Sequence, residues 1–176
     1  MNKTRRVILK GALLAPLLPL SRLAGATPTS ERKLSFYHTH TGEKLSVVYH
    51  DGRDYLPESL ADIDRHLRDF RTGDIETIDP LLLDQLFALR RMTDSNGVYQ
   101  VISGYRSPAT NAKLRSRSSG VAKKSLHMQG RAVDVRLTGV ECRNLRKAAV
   151  ALKNGGVGLY PKSDFVHLDT GRFRTW

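Results

Sequence analysis

The chain has 176 residues, a length that suits one domain, with 29 basic and 17 acidic side chains and a net charge of +12. Cys142 is its only cysteine, which excludes an intramolecular disulfide, an iron–sulfur cluster and a multi-cysteine zinc site.

Thr4-Arg5-Arg6-Val7-Ile8-Leu9-Lys10 reads as a twin-arginine export signal. Gly11 to Leu20 is a short apolar core interrupted by Pro16 and Pro19, and Ala24-Gly25-Ala26 is a small-residue cleavage site. This core falls well short of the roughly twenty residues that span a bilayer. Residues 1–26 are therefore expected to be a removable signal and residues 27–176 the working domain. That domain is expected in the periplasm, as a monomer without a transmembrane segment. No cysteine near the cleavage site offers a lipid anchor. The basic excess attracts anionic partners. For an exported chain, wall polymer or a membrane surface fits better than nucleic acid, and no nucleic acid is expected.

Lys33–Tyr37 and Lys44–Tyr49 alternate as strands about the turn-like Thr39-His40-Thr41-Gly42-Glu43, which predicts a hairpin. His38, His40 and His50 cluster here, and turn and edge positions account for them. Pro57-Glu58-Ser59 opens a helix whose apolar face is Leu60, Ile63, Leu67 and Phe70, with Gly73 as the stop. Asp79-Pro80 begins a second helix as N-cap and first-turn proline. Its leucines mark it as the central core helix, and Asn96-Gly97 closes it.

Tyr99–Ser103 reads as a strand that delivers Gly104-Tyr105-Arg106 to its end. Ser107-Pro108 starts a helix to about Arg117, and a polar, lysine-bearing loop follows to Ser125. Arg131–Leu137 alternates as a strand, Glu141–Leu152 as a third main helix, and Val157–Tyr160 and Phe165–Asp169 as a last pair of strands. The expected fold class is α+β, a single domain with a small antiparallel sheet and helices packed on it.

His127 precedes Asp134 by seven positions, with Gly130 between them where a sharp turn is easy. A loop histidine can then face an aspartate on the following strand. His167 is the third candidate, and two imidazoles with one carboxylate suit catalytic zinc with a fourth position left for water.

Ser125-x-His127-x-x-Gly130-x-Ala132-x-Asp134, followed far downstream by Phe165-Val166-His167-x-Asp169, resembles the LAS superfamily of lysostaphin-type peptidases, D-Ala-D-Ala peptidases and hedgehog domains. Ser103-Gly104-Tyr105-Arg106-Ser107 is similar to that superfamily's substrate-binding arginine motif, and Gly155–Tyr160 to its glycine-rich strand before the last ligand. The likeness is greatest to the murein endopeptidase group and covers nearly all of residues 27–176. It implies zinc (Zn2+) held by His127, Asp134 and His167. It also implies Arg106 pairing with a substrate carboxylate, and hydrolysis of peptidoglycan cross-links, above all diaminopimelate–diaminopimelate (3-3) bonds. A D-alanyl-D-alanine carboxypeptidase and a non-catalytic wall-binding domain of the same fold are the alternatives.

Two carboxylates compete as general base. Asp164, three before His167, resembles the Glu-x-x-His arrangement of some D-Ala-D-Ala peptidases and is slightly preferred. Asp169, two after His167, shares its strand face and could instead orient a ligand.

Overall fold

The computed structural model describes residues 30–118 and 120–176. Residues 1–26, expected to be an export signal, lie outside the described residues. Strands β1 (Arg32–His38) and β2 (Lys44–His50) form the expected hairpin. They are followed by α1 (Pro57–His66), α2 (Pro80–Met92), β3 (Tyr99–Ser103), α3 (Pro108–Arg117) and a 3-10 turn, Leu126–Gln129. Then come β4 (Ala132–Leu137), α4 (Cys142–Leu152), β5 (Gly156–Tyr160), β6 (Phe165–Asp169) and β7 (Arg174–Thr175). The strands make one seven-stranded sheet in the order β2-β1-β3-β4-β6-β5-β7. The α+β class holds. The sheet is larger than expected and mixed, because β1 pairs with β3, and β5 with β7, in parallel.

Side chains alternate across the pleat, and this sorts the strands into two faces. Val133, Val135 and Leu137 of β4 and Val166 and Leu168 of β6 join one buried cluster with Leu82, Leu83, Leu86 and Leu89 of α2 and Leu145 and Ala149 of α4. Each fully buried leucine contributes about 1.5–3 kcal/mol of transfer free energy. The opposite face carries Asp134 on β4 and His167 and Asp169 on β6. Register sets Asp134 directly beside His167, and Gly158 of β5 on the other side of His167.

Helix α1 ends sooner than its apolar spacing suggests. The Leu67 carbonyl accepts from Tyr105 N at 2.8 Å, and Asp69–Asp74 closes into a turn. The buried Asp69 carboxylate accepts from both Ser107 N and Ser107 Oγ, at 2.9 and 2.8 Å, and so ties the start of α3 to that turn. Asp79 caps α2 by accepting from Leu81 N, and its own N–H donates to the Gly130 carbonyl at 2.9 Å.

Gly130 is required at that junction. Its φ is +64°, and a Cβ there would lie 2.0 Å from the Thr77 carbonyl oxygen. Gly130→Ala combines left-handed strain with overpacking against backbone, so a stability loss of about 2 kcal/mol or more is expected in urea denaturation. An unchanged midpoint would remove this turn from the determinants of the fold.

Candidate metal centre

His127 sits in the 3-10 turn behind Ser125, whose hydroxyl accepts from the His127 N–H. Its Nδ1 lies 2.7 Å from the Gly104 carbonyl oxygen. A carbonyl can only accept, so Nδ1 carries the proton and Nε2 presents a lone pair. That lone pair lies 3.3 Å from Asp134 Oδ1 and 3.2 Å from His167 Nδ1. His167 Nδ1 lies 2.8 Å from the same Asp134 oxygen, and its Nε2 donates to Asp169 Oδ2 at 3.0 Å.

Three ligand atoms therefore converge, all within 4.8 Å of one another, and each imidazole has its far nitrogen held by a protein acceptor. His127 Nε2 and Asp134 Oδ1 are two acceptors facing each other, which repel unless a cation or a proton lies between them. The two edges at His127, 3.3 and 3.2 Å, are what N and O ligands make around a tetrahedral ion held at about 2.0–2.1 Å, and the 2.8 Å edge between His167 and Asp134 is that of a hydrogen bond. The donor set fits a metal of that kind.

Burial lowers the pKa of His127 and outweighs the pull of Asp134, so this ring favours the neutral form. Burial opposes ionisation of Asp134, but the two histidines beside it, His127 and His167, outweigh burial and hold the carboxyl well below the usual range. Burial also lowers His167, yet its bonds to Asp134 and Asp169 win and raise it.

Asp169 is fully buried. Its Oδ1 accepts from Gly156 N at 2.9 Å, Gly171 N at 2.8 Å and Arg174 Nη1 at 3.1 Å; its Oδ2 accepts from Arg174 Nη2 at 2.6 Å besides His167. Asp164 stands elsewhere. It occupies the turn before β6 at φ +50°, its side chain is 71% exposed, and it pairs with Arg136 at 3.4 Å. The structure thus brings His127, Asp134, His167 and Asp169 together and leaves Asp164 outside the cluster.

Arg106 lines the cleft beside the cluster. Its Nη2 pairs with Asp134 Oδ2 and its Nε donates to Ser103 Oγ at 2.8 Å. The guanidinium therefore holds the second oxygen of Asp134 and leaves Oδ1 to face the histidines. The cleft has a volume of about 420 Å³. Its lining includes Gly120, Lys124 and Leu126 as well as Tyr160, Phe165 and Trp176. Arg174 and Trp176 were not legible as site residues. Their one signal is an arginine and a lone tryptophan close behind the His167-x-Asp169 pair.

A buried cluster of two histidines and an aspartate beside a cleft in an α+β domain is a donor set that could hold a metal ion, as a metallopeptidase centre would. The profile of the family described as peptidoglycan L,D-endopeptidase MepK matches residues 26–176, and the chain belongs to that family. It is 44% identical to the peptidoglycan L,D-endopeptidase MepK of Escherichia coli (strain K12), over 99% of this chain and 97% of that protein. It is 40% identical to a probable peptidoglycan L,D-endopeptidase MepK of Haemophilus influenzae, over 99% and 95%. The murein endopeptidase resemblance carried by the motifs is borne out. No helix among the described residues is long and apolar enough to cross a membrane.

Proposed function

We propose that the protein is a zinc-dependent peptidoglycan endopeptidase of the periplasm that hydrolyses diaminopimelate–diaminopimelate (3-3) cross-links. The observation that carries this reading is the convergence of His127 Nε2, Asp134 Oδ1 and His167 Nδ1 in an open cleft, in a chain so similar to peptidoglycan L,D-endopeptidases.

His127, Asp134 and His167 would hold the zinc, which supplies Lewis acidity, acidifying water and polarising a carbonyl. The chain's own residues do the rest. The Gly104 carbonyl fixes the tautomer and direction of His127, and Asp169 does the same for His167. Arg106 steers Asp134 and adds a cation at the cleft, where a substrate carboxylate can be paired. Of the two carboxylates weighed as base, Asp169 has the contacts of a positioning residue. Asp164 needs the turn before β6 to swing it into the cleft before it can take a proton.

The test is mass spectrometry of purified wall digested with residues 27–176. Cross-linked muropeptides should fall to uncross-linked stem peptides, chelation should stop the reaction, and zinc should restore it. Untouched cross-links would sink the reading, and release of terminal D-alanine alone would make the protein a carboxypeptidase. Export by the twin-arginine route is part of the same proposal, resting on Arg5-Arg6. Arg5→Lys with Arg6→Lys should leave precursor in the cytoplasmic fraction, and normal appearance of the processed protein would exclude that route.

A further inference from the structure

Six large apolar side chains are exposed among the described residues: Ile75, Leu81, Met92, Val98, Phe173 and Trp176. Trp176 alone of these lines the cleft, where its ring centre lies 5.2 Å from that of His167. An indole left 45% exposed beside a catalytic centre is not explained by packing.

Nor is this ring a loose surface group. Trp176 N donates to the Val157 carbonyl at 3.2 Å, and its carbonyl accepts from Leu159 N at 3.1 Å. The indole N–H donates to Tyr160 Oη at 3.0 Å. The ring lies across Gly158, where a Cβ would come 2.5 Å from Cε2. The Arg174 guanidinium stands 5.0 Å from the ring centre and is itself ion-paired to Asp169. The tryptophan is thus fixed at both backbone groups, at its nitrogen and on its packed side, and an apolar surface remains toward the cleft. A rigid aromatic surface of this kind binds with little loss of conformational entropy.

The surrounding charge selects what can lie on it. The lining carries Arg106, Arg174 and Lys124 against Asp134 and Asp169, and each aspartate is already paired with an arginine. An apolar plate rimmed by cations suits an unbranched methylene chain that ends in a carboxylate.

We propose that Trp176 is the specificity platform of the cleft, stacking on the methylene side chain of the diamino-dicarboxylic residue next to the cut bond. This rests on the endopeptidase reading above. Trp176 is the only tryptophan in the chain, so its emission reports the contact directly.

The probes are the L-Ala-γ-D-Glu-diaminopimelate tripeptide and its analogues with lysine or alanine in the third position, titrated into the zinc-loaded protein. The diaminopimelate peptide should shift the emission and saturate, the lysine peptide should bind more weakly, and the alanine peptide should have no effect. In turnover, Trp176→Ala should raise KM on the order of tenfold with kcat within about twofold and zinc content unchanged, while Trp176→Phe keeps most of the parent's affinity. An active parent whose emission ignores the diaminopimelate peptide, an equal response to the alanine peptide, or a parental KM in Trp176→Ala would each overturn the platform. So would loss of zinc or of kcat alone, which would make Trp176 a support for Arg174 and Asp169. A parent that shifts its emission with the diaminopimelate peptide but leaves cross-linked wall intact would support the platform and overturn the endopeptidase reading.

Discussion

His127→Ala and His167→Ala should each yield a folded protein that loses zinc on dialysis and hydrolyses cross-linked muropeptides on the order of 10³-fold more slowly or worse. The magnitude follows from the several kcal/mol that a Lewis acid supplies, at 1.36 kcal/mol per decade of rate. The two variants differ in their side effects. His127→Ala strands the Gly104 carbonyl that Nδ1 serves, at a cost of about 1–3 kcal/mol of stability. His167→Ala leaves Asp169 with Arg174 and two backbone donors still in place, so its stability should fall less. Elemental analysis, urea denaturation and turnover read the three effects separately. His40→Ala is the control, because His40 stacks on Phe70 with ring centres 4.2 Å apart and should keep zinc and activity. A zinc-replete, active His127→Ala, or zinc loss in His40→Ala, would refute the ligand assignment.

Much of this centre could be read from the chain because its information is local. Asp79-Pro80 and Ser107-Pro108 announce their helices through capping chemistry, and both caps accept the expected N–H groups. Alternation along β4 and β6 puts Asp134, His167 and Asp169 on the face away from the valines. Which strands lie side by side is not local information. Nothing in Phe36 or Tyr99 specifies the parallel pairing of β1 with β3. Strand β7 has two residues, too few for any period, yet it brings Arg174 to Asp169. The reach of α1 was overestimated from Phe70, whose spacing fits a helix but whose ring serves as a stacking surface for His40 and Arg71. Sequence spacing alone could not separate Asp164 from Asp169, since a turn residue three before a ligand can face either way.

That separation is the subject of the sharpest remaining experiment. Asp164→Asn removes a mostly exposed charge paired with Arg136. Exposed pairs are worth about 0–1 kcal/mol, so stability, zinc content and kcat should all stay close to those of the parent. Asp169→Asn removes a fully buried charge that faces five donors. The amide cannot accept at both positions; with its nitrogen in place of Oδ2, both His167 Nε2 and Arg174 Nη2 lose their acceptor, and the Arg174 charge loses its counterion. Freed from its acceptor, His167 Nε2 no longer fixes the ring, and zinc affinity should weaken by about 10–100-fold. Raising free zinc should therefore restore much of the Asp169→Asn turnover, because the defect lies in holding the ion. A general base behaves differently: its loss lowers kcat by about 10²–10⁴-fold with zinc fully bound, and added zinc does not help. Asp164→Asn inactive and zinc-replete would establish that the turn before β6 delivers Asp164 to the substrate. Asp169→Asn inactive, zinc-tight and unresponsive to added zinc would make Asp169 the proton acceptor and end its assignment as the residue that orients His167.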